Sequence, residues 1–317
     1  MKILRELLYL PVNASLYYLH KRQVKLFRKR VGYYPNIAFP KLYHEKIFWR
    51  KVFDNNPLFG VFCDKLATKE YIISKFPEAR VPKTIWSTDD LTQILQLPVT
   101  SDMVIKASHG SSFNYFPKGS PDDSEQLYLL AHKWMATGYG IDMYETGYFG
   151  VKRQVFAEER ILTKGNRPFI DIGIGCANGK AIMLLVTRNC KKDNMQDGNF
   201  NLQGERVLNY GESPGIGHNL DLDFKLPSNY KEVIKLAETL SVGIDYARFD
   251  FMTDGETIYA GEITVYPGGG HTEATLGDHY GADKYIDQFW DIRLSWFLNT
   301  QHSGWKSLYV KLLKSSY

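Results

Sequence analysis

The chain has 317 residues, 44% of them hydrophobic and 23% charged, with a formal net charge of +4. That balance is ordinary for a soluble globular protein, and the length leaves one to three compact units and is ample for burying a full core. Its three cysteines, Cys63, Cys176 and Cys190, show neither metal-ligand spacing nor a disulfide framework, which fits a reducing cytoplasmic setting. No apolar run reaches the ~20 residues that span a bilayer.

The basic charge is uneven. Residues 1–31 carry eight Lys or Arg against the single acid Glu6, so this arm is strongly basic and the rest is mildly acidic. Leu4, Leu7, Leu8, Leu16, Tyr18, Leu19 and Leu26 lie among those charges and predict an amphipathic helix broken near Pro11. Such a helix either lies on an anionic membrane surface, as a peripheral contact at its inner face, or caps the body. It lacks the small-residue cleavage site of a secretory signal. No reader motif accompanies the basic cluster, so nucleic acid is not expected as a partner.

Further along, residues 40–51 predict an amphipathic helix, stopped by Asp54-Asn55-Asn56-Pro57. Asp64 begins the next helix with acidic charge at its start, as the helix dipole favours. Val81-Pro82-Lys83-Thr84 opens a strand. Residues 103–107 form a short buried strand containing Lys106. The small-residue loop Ser108-His109-Gly110-Ser111-Ser112 after it would let backbone N–H groups approach phosphate oxygens, with Lys106 neutralising them. It lacks the Gly-Lys-Ser/Thr of a Walker loop, and by itself it is an ordinary loop. A helix over 124–136 precedes a loop rich in Gly and Tyr, whose Tyr139, Tyr144, Tyr148 and Phe149 suit either packing or a sugar face. Residues 154–161 form a strand carrying Glu158 and Glu159. Residues 169–176 and 180–187 pair across Asn178-Gly179, a strong hairpin signal. Residues 189–226 read as a long polar loop, 227–242 as a helix, 281–298 as an aromatic helix, and 301–317 as a basic tail.

The stretch 246–271 contains two strand-like runs around Asp254-Gly255. Alternation puts Arg248 and Asp250 on one face, opposite Ala247, Phe249 and Phe251. On the second run Glu262 and Thr264 share parity with Ile258 and Ala260. A three- or five-residue loop is expected, because an odd loop brings Asp250, Glu262 and Thr264 together. Two carboxylates and a hydroxyl on one face suit a hard cation such as Mg²⁺, with Arg248 beside them for an anion. A solvated hairpin with scattered charges fits the same residues.

The order Arg248-x-Asp250, hairpin, Glu262-x-Thr264, Pro267-Gly268 resembles the metal-binding end of the ATP-grasp fold, as in D-alanine–D-alanine ligases, whose pattern has Asn where Thr264 stands. Gly261-Glu262-Ile263-Thr264, the following Pro267-Gly268-Gly269-Gly270, the Glu45-Lys46-Ile47 helix and the Asn56-Pro57 turn resemble the TupA-like ATP-grasp branch found with bacterial surface-polysaccharide genes. The resemblance implies an α+β fold in which two lobes clamp ATP between antiparallel sheets, with an N-terminal helical arm. Its parts are the arm 1–31, a helical leader 32–63, a central lobe with a phosphate lid 64–155, a C-terminal lobe with the metal site 156–300, and the tail 301–317. It implies ATP and two Mg²⁺ ions as cofactors. Lys65 and Lys106 would touch phosphates under the lid Ser108, His109, Gly110, Ser111 and Ser112. Glu158, Glu159 and Ile161 would hold adenine, while no ribose-binding acid stands at position 165, which is Gly. Arg188 would meet the γ-phosphate and Arg248 an acyl phosphate. Asp250 and Glu262 would hold metal, with Thr264 a weaker neutral ligand. Gly268, Gly269 and Gly270, near His271, would offer N–H groups to a substrate carboxylate.

The implied function is a carboxylate–amine ligase. It would join an amino acid or other amine to a glycan, nucleotide-sugar or uronic acid of a surface polysaccharide through an acyl phosphate. A kinase acting on a glycan hydroxyl, and a non-catalytic glycan-binding protein, remain open alternatives.

Overall fold

A computed structural model describes residues 9–162, 169–189, 194–207, 220–271 and 286–317. Expectations resting on Leu4, Leu7, Leu8, Gly165 and Cys190, and on parts of the 189–226 and 281–298 stretches, fall outside these residues.

The expected α+β body of antiparallel sheets is what forms. Strands β1 (Thr84–Thr88), β2 (Met103–Ala107), β3 (Asn114–Tyr115) and β4 (Val155–Glu159) make a four-stranded sheet in the order β1-β4-β2-β3. Strands β5 (Ile170–Ala177), β6 (Lys180–Arg188), β7 (Gln196–Phe200), β8 (Ala247–Thr253) and β9 (Ile258–Thr264) make the second, in the order β7-β6-β5-β8-β9. The division expected at 155/156 cuts through β4, whose residues all pair with β2 and, from 155 to 158, also with β1, so the first sheet ends at Glu159. β7 lies inside the stretch expected to be a loop, because Gln196–Phe200 continues the ladder on β6. Each sheet has its own core. Ile105, Ala107, Leu127, Ala131 and Ala157 pack between the first sheet and a helix, Asp123–Ala136. Ile172, Ile174, Leu184, Phe249 and Phe251 lie under the second sheet, against Val233, Ala237 and Leu240 of Tyr230–Leu240.

The arm caps the body. Helices α1 (Leu10–Leu19) and α2 (Lys21–Val31) meet at His20. Pro11 sits in the first turn of α1, where its missing N–H has no partner to lose, so it starts the helix rather than breaking it. Val24, Phe27 and Val31 of α2 are buried, and Phe27 stacks on Phe48 at 5.8 Å. Lys21, Arg22, Lys25, Arg28, Lys29 and Arg30 are exposed.

Helix α3 (Tyr43–Phe53) is not amphipathic in place: it is buried around nearly its whole circumference. Its charges are therefore satisfied internally. The Glu45 carboxylate accepts from Asn36, Lys41 and Leu42 N–H groups, and Lys46 Nζ donates to the carbonyls of Asp287 and Trp290. α4 (Pro57–Cys63) follows, with Pro57 in its first turn and the Asn56 side chain capping Leu58 N–H. α5 (Lys65–Lys75) is capped by the Asp64 carboxylate on the N–H groups of Leu66 and Ala67, as the sequence predicts. The tail forms a helix over Gly304–Lys314, whose Tyr309 hydroxyl accepts from Trp49 Nε1 at 2.9 Å. Residues 286–298 are not one helix. A helical run ends at Phe289, a short turn covers Ile292–Leu294, and one further turn covers Trp296–Asn299. Among the described residues no helix is long and apolar enough to cross a membrane.

Candidate active site

The β8–β9 hairpin does bring Asp250 and Glu262 face to face, by a different device from the odd loop expected. The loop has four residues, 254–257, so Thr253 faces Ile258 and Phe251 faces Ala260. The register then shifts, and Asp250 faces Glu262 and Arg248 faces Thr264. The extra residue is Gly261, a β-bulge that inverts the parity of everything after it. Glu262 and Thr264 consequently do not share a face with Ala260, which is buried in the core with Phe249 and Phe251. Gly261 suits the position because a Cβ there would lie 3.2 Å from the Asp250 carbonyl oxygen.

Asp250 is tightly held. Arg248 donates from Nε to Oδ1 at 2.7 Å and from Nη2 to Oδ2 at 3.0 Å, and the Thr264 hydroxyl donates to Oδ2 at 3.0 Å. Asp250 beside it keeps the Arg248 guanidinium firmly charged against the cost of burial. The clamp lies over Gly173 on β5, where a Cβ would stand 2.8 Å from Asp250 Oδ1. Glu262 is much freer. Its side chain is 42% exposed, with Lys65 Nζ 3.8 Å away.

Asp250 and Glu262 line a cavity of about 150 Å³ between the two sheets, together with Lys65, Lys106, Ser111, Ser112, Glu158 and Asp171. Lys65 Nζ donates to the Gly110 carbonyl. Lys106 and Lys69 both pair with the buried Glu158, Lys69 at 2.6 Å. Burial pulls the Lys69 ammonium down, and Glu158 offsets part of that. Lys69, which the sequence reading missed, follows Lys65 by one helical turn and so reaches the same cavity.

Several predicted contacts are placed elsewhere. Ser108 is fully buried, its hydroxyl donating to the Lys152 carbonyl at 2.8 Å. His109 is also buried, with Nε2 at 3.1 Å from the Trp134 carbonyl oxygen. The lid thus turns only its Ser111–Ser112 end to the cavity, Ser112 in the left-handed region at φ 63°. Glu159 is exposed and accepts from Lys83 N–H at 2.9 Å, and with Ile161 it lies outside this cavity. Arg188 is not brought to the site. It shares parity with the buried Leu184 and Val186, so it projects from the opposite face of the sheet to Asp171 and Asp250, where it pairs with Asp221 at 3.5 Å.

A second cavity of about 540 Å³ adjoins the first. Arg248, Thr264, Gly268, Gly269, Tyr139, Tyr148 and Glu145 line part of its wall, and Glu262 and Ser111 border both cavities. Tyr144 and Phe149 are not part of it. Gly268, Gly269 and Gly270 all adopt positive φ (57°, 62° and 67°). Their N–H groups are not all available to a substrate carboxylate, because Gly269 N–H donates to the Tyr266 carbonyl at 2.8 Å. Gly270 packs so close to Ile47 that a Cβ would stand 2.3 Å from Cγ2. His271 turns away from the cavity towards the arm, its ring edge-on to Phe27 at 5.6 Å.

Burial, followed by the nearby cations Lys51 and Arg30, lowers the His271 pKa to about 3. An unfolded histidine titrates near pH 6.5. Between those values the unfolded chain binds the extra proton, so stability is full above pH ~6.5 and falls as pH drops towards 3. Melting temperature is expected to fall more shallowly from pH 7 to 4.5 in His271→Gln than in the unmodified chain. Parallel curves would show that this ring does not titrate on unfolding.

Among the described residues no cluster of three or more His, Cys, Asp or Glu forms a ready metal cage. The donor set fits Mg²⁺ of the phosphate-bridging kind, which takes one or two carboxylates and completes its shell from phosphate and water. Glu262 is open for that role. Asp250 has spare lone pairs only beside its Arg248 clamp, and the Thr264 hydroxyl donates to Asp250, which makes it a positioning group.

The family model for TupA-like ATP-grasp proteins matches residues 45–280. No curated protein sequence matches the chain. Among solved structures, a D-alanine–D-alanine ligase from Bacillus anthracis is 21% identical with TM-score 0.40, covering 75% of this chain and 69% of that one. A D-alanine–D-alanine ligase from Helicobacter pylori is 15% identical with TM-score 0.40, covering 72% and 61%. An L-amino acid ligase from Bacillus licheniformis is 13% identical with TM-score 0.40, covering 77% and 51%. The chain therefore spans from about half to just over two thirds of these proteins.

Proposed function

Since the chain belongs to the TupA-like ATP-grasp family, we propose that it is an ATP- and Mg²⁺-dependent ligase joining a carboxylate to an amine. The observation that carries this reading is that Glu262 borders both cavities. A nucleotide in the smaller one and an acceptor carboxylate in the larger would meet at that side chain. Lys65 and Lys106 would bind the phosphates under Ser111 and Ser112. Mg²⁺ on Glu262 and Asp250 would neutralise charge on the transferred phosphoryl group. The carboxylate oxygen attacks the γ-phosphorus, ADP leaves, and an acyl phosphate forms beside Arg248. The amine then attacks the acyl carbon and phosphate departs. Tyr139, Tyr148 and Tyr266 line the larger cavity and suit a sugar ring, which supports a uronic acid of a bacterial surface glycan as acceptor and an amino acid as amine. The exposed basic face of α2 would sit nearest an anionic membrane surface, placing the protein at its inner face.

The test is thermal unfolding with Mg²⁺ alone, nucleotide alone, and Mg²⁺ with a non-hydrolysable ATP analogue. At a hundredfold excess over Kd the last should stabilise by about 2.7 kcal/mol. With ATP and hydroxylamine, D-glucuronate or D-galacturonate should yield a hydroxamate. A stable phosphomonoester would instead make the chain a kinase, and no nucleotide shift would favour a non-catalytic glycan-binding protein.

A further inference from the structure

One carboxylate in the larger cavity has no role in what precedes. Glu145 lies in the loop between the Asp123–Ala136 helix and β4, on the wall that also carries Arg248 and Glu262. It is only 6% exposed. No hydrogen bond to its side chain occurs among the described residues, although it heads a short helical turn that it could have capped. Its backbone is fixed, with N–H donating to the Gly140 carbonyl at 2.8 Å and carbonyl accepting from Tyr148 N–H at 3.0 Å. The Gly269 backbone also comes close, since a Cβ there would stand 3.2 Å from Glu145 Oε1.

The bland alternative is an ion pair with Lys51 of α3. Lys51 is committed elsewhere. Its Nζ donates to the carbonyls of Met143 at 2.9 Å and Gly269 at 2.6 Å, and no ion pair within 4.0 Å joins it to Glu145. Those two bonds tie the Glu145 loop to the glycine turn and hold the carboxylate at the cavity wall. The carboxylate oxygens are not sealed in the core but open onto the cavity, and a ligand ammonium is what such a wall fits. On the ligase reading above, we propose that Glu145 binds the ammonium group of the incoming amine and acts as its general base.

The protons balance. The bound ammonium gives one proton to Glu145, and its lone pair forms the C–N bond at the acyl carbon. The C–O bond to phosphate breaks, and the second proton lost from nitrogen leaves with the phosphate. Burial raises the Glu145 carboxyl above the usual range and Lys51 opposes that, the direction a base near neutral pH needs. The other titratable or charged groups lining this cavity are Arg30 of α2, Cys63 of α4, Tyr139, Asp142, Tyr148, Arg248, Glu262 and Tyr266.

The experiment pairs two nucleophiles. Unmodified protein and E145Q receive MgATP, D-glucuronate or D-galacturonate, and either hydroxylamine or each of the twenty amino acids. E145Q should lose amide formation by about a hundredfold at pH 7 while still forming hydroxamate, because hydroxylamine is largely unprotonated there and needs no base. Its amide rate should recover as pH rises, and E145D should recover part of it at pH 7. An unchanged amide-to-hydroxamate ratio in E145Q overturns the role of Glu145, as does hydroxamate without amide from any amino acid in the unmodified protein. Absence of hydroxamate in the unmodified protein sinks the ligase reading itself. If E145Q gives no shift with Mg²⁺ and the ATP analogue, the decision passes to the unmodified protein's pH profiles. Amide formation should show an acid limb that hydroxamate formation, referred to the free-base fraction of hydroxylamine, lacks, and profiles that superimpose on that basis overturn the proposal.

Discussion

Glu262→Gln is expected to cut ATP turnover by about a thousandfold while leaving the melting temperature without ligand nearly unchanged. The side chain is 42% exposed and its ion pair with Lys65 is loose at 3.8 Å, so removing its charge touches little that stabilises the fold. The amide keeps the shape and loses the anion that would hold Mg²⁺ against the phosphates. Metal stabilisation of a phosphoryl group is worth several kcal/mol, and ~4 kcal/mol is about three powers of ten in rate. Asp250→Asn makes a less clean experiment, since it also breaks the Arg248 clamp and leaves a half-buried guanidinium poorly paired. Steady-state phosphate release and a melting curve with and without MgATP analogue decide the matter. Turnover within tenfold of the unmodified chain would mean that Glu262 is not the metal ligand and that the two-cavity arrangement has another use.

The largest stability effect is expected at Arg50. It is fully buried, donating to the Asp245 carboxylate at 2.9 Å and to the Val265 carbonyl at 2.7 Å. Trp290 Nε1 donates to the same Asp245 oxygen at 2.8 Å, and the guanidinium lies 4.4 Å over the Trp290 ring. A second carboxylate, Asp54, is close by. Burial and then Asp245 push it up to about 7, with Arg50 pulling the other way. Arg50→Met removes the cation between two buried acids and should cost about 3–5 kcal/mol. Asp245→Leu, which strands the guanidinium, should cost a similar amount. Together the two changes should cost far less than their sum, because replacing both partners of a buried pair by apolar groups is often nearly neutral. Urea unfolding of the four proteins gives the cycle. A loss below about 1 kcal/mol in either single variant would mean that water reaches the pair.

Arg50 matters beyond stability because Val265 directly follows β9. Its bond to that carbonyl anchors α3 to the end of the strand carrying Glu262 and Thr264. Lys51 grips the glycine turn one residue further along α3. One helix therefore holds both the hairpin and the wall of the larger cavity in place.

What the sequence by itself determined are the features written in local chemistry. Met103–Ala107 reads as a strand and is one, because a short apolar run ends in small loop residues. Asn178 and Gly179 take positive φ, 47° and 79°, as the two-residue hairpin turn requires. Asp64 caps α5, and alternation along β8 puts Arg248 and Asp250 on one face. The motif order from Glu45 to Gly270 was legible as well, and with it the family.

Only the tertiary structure decided the rest. A bulge is one extra residue, and parity alone assigned the pairing of Asp250 with Glu262 to an odd loop when Gly261 supplies it. Arg188 was misplaced because alternation says that neighbours face opposite ways, but not which face is the site. The charges of α3 look like a solvated face until the arm, the tail and Trp290 enclose them from all sides. Ser108 and His109 sit in the expected lid, yet long-range bonds to Lys152 and Trp134 turn them inward. Glu145 carries no periodic signal in a loop of glycines and tyrosines. Local sequence fixes which elements form and which residues share a face. Whether a polar group is buried, satisfied or left open to a cavity depends on chain that arrives from far away, and that is where the site's chemistry is set.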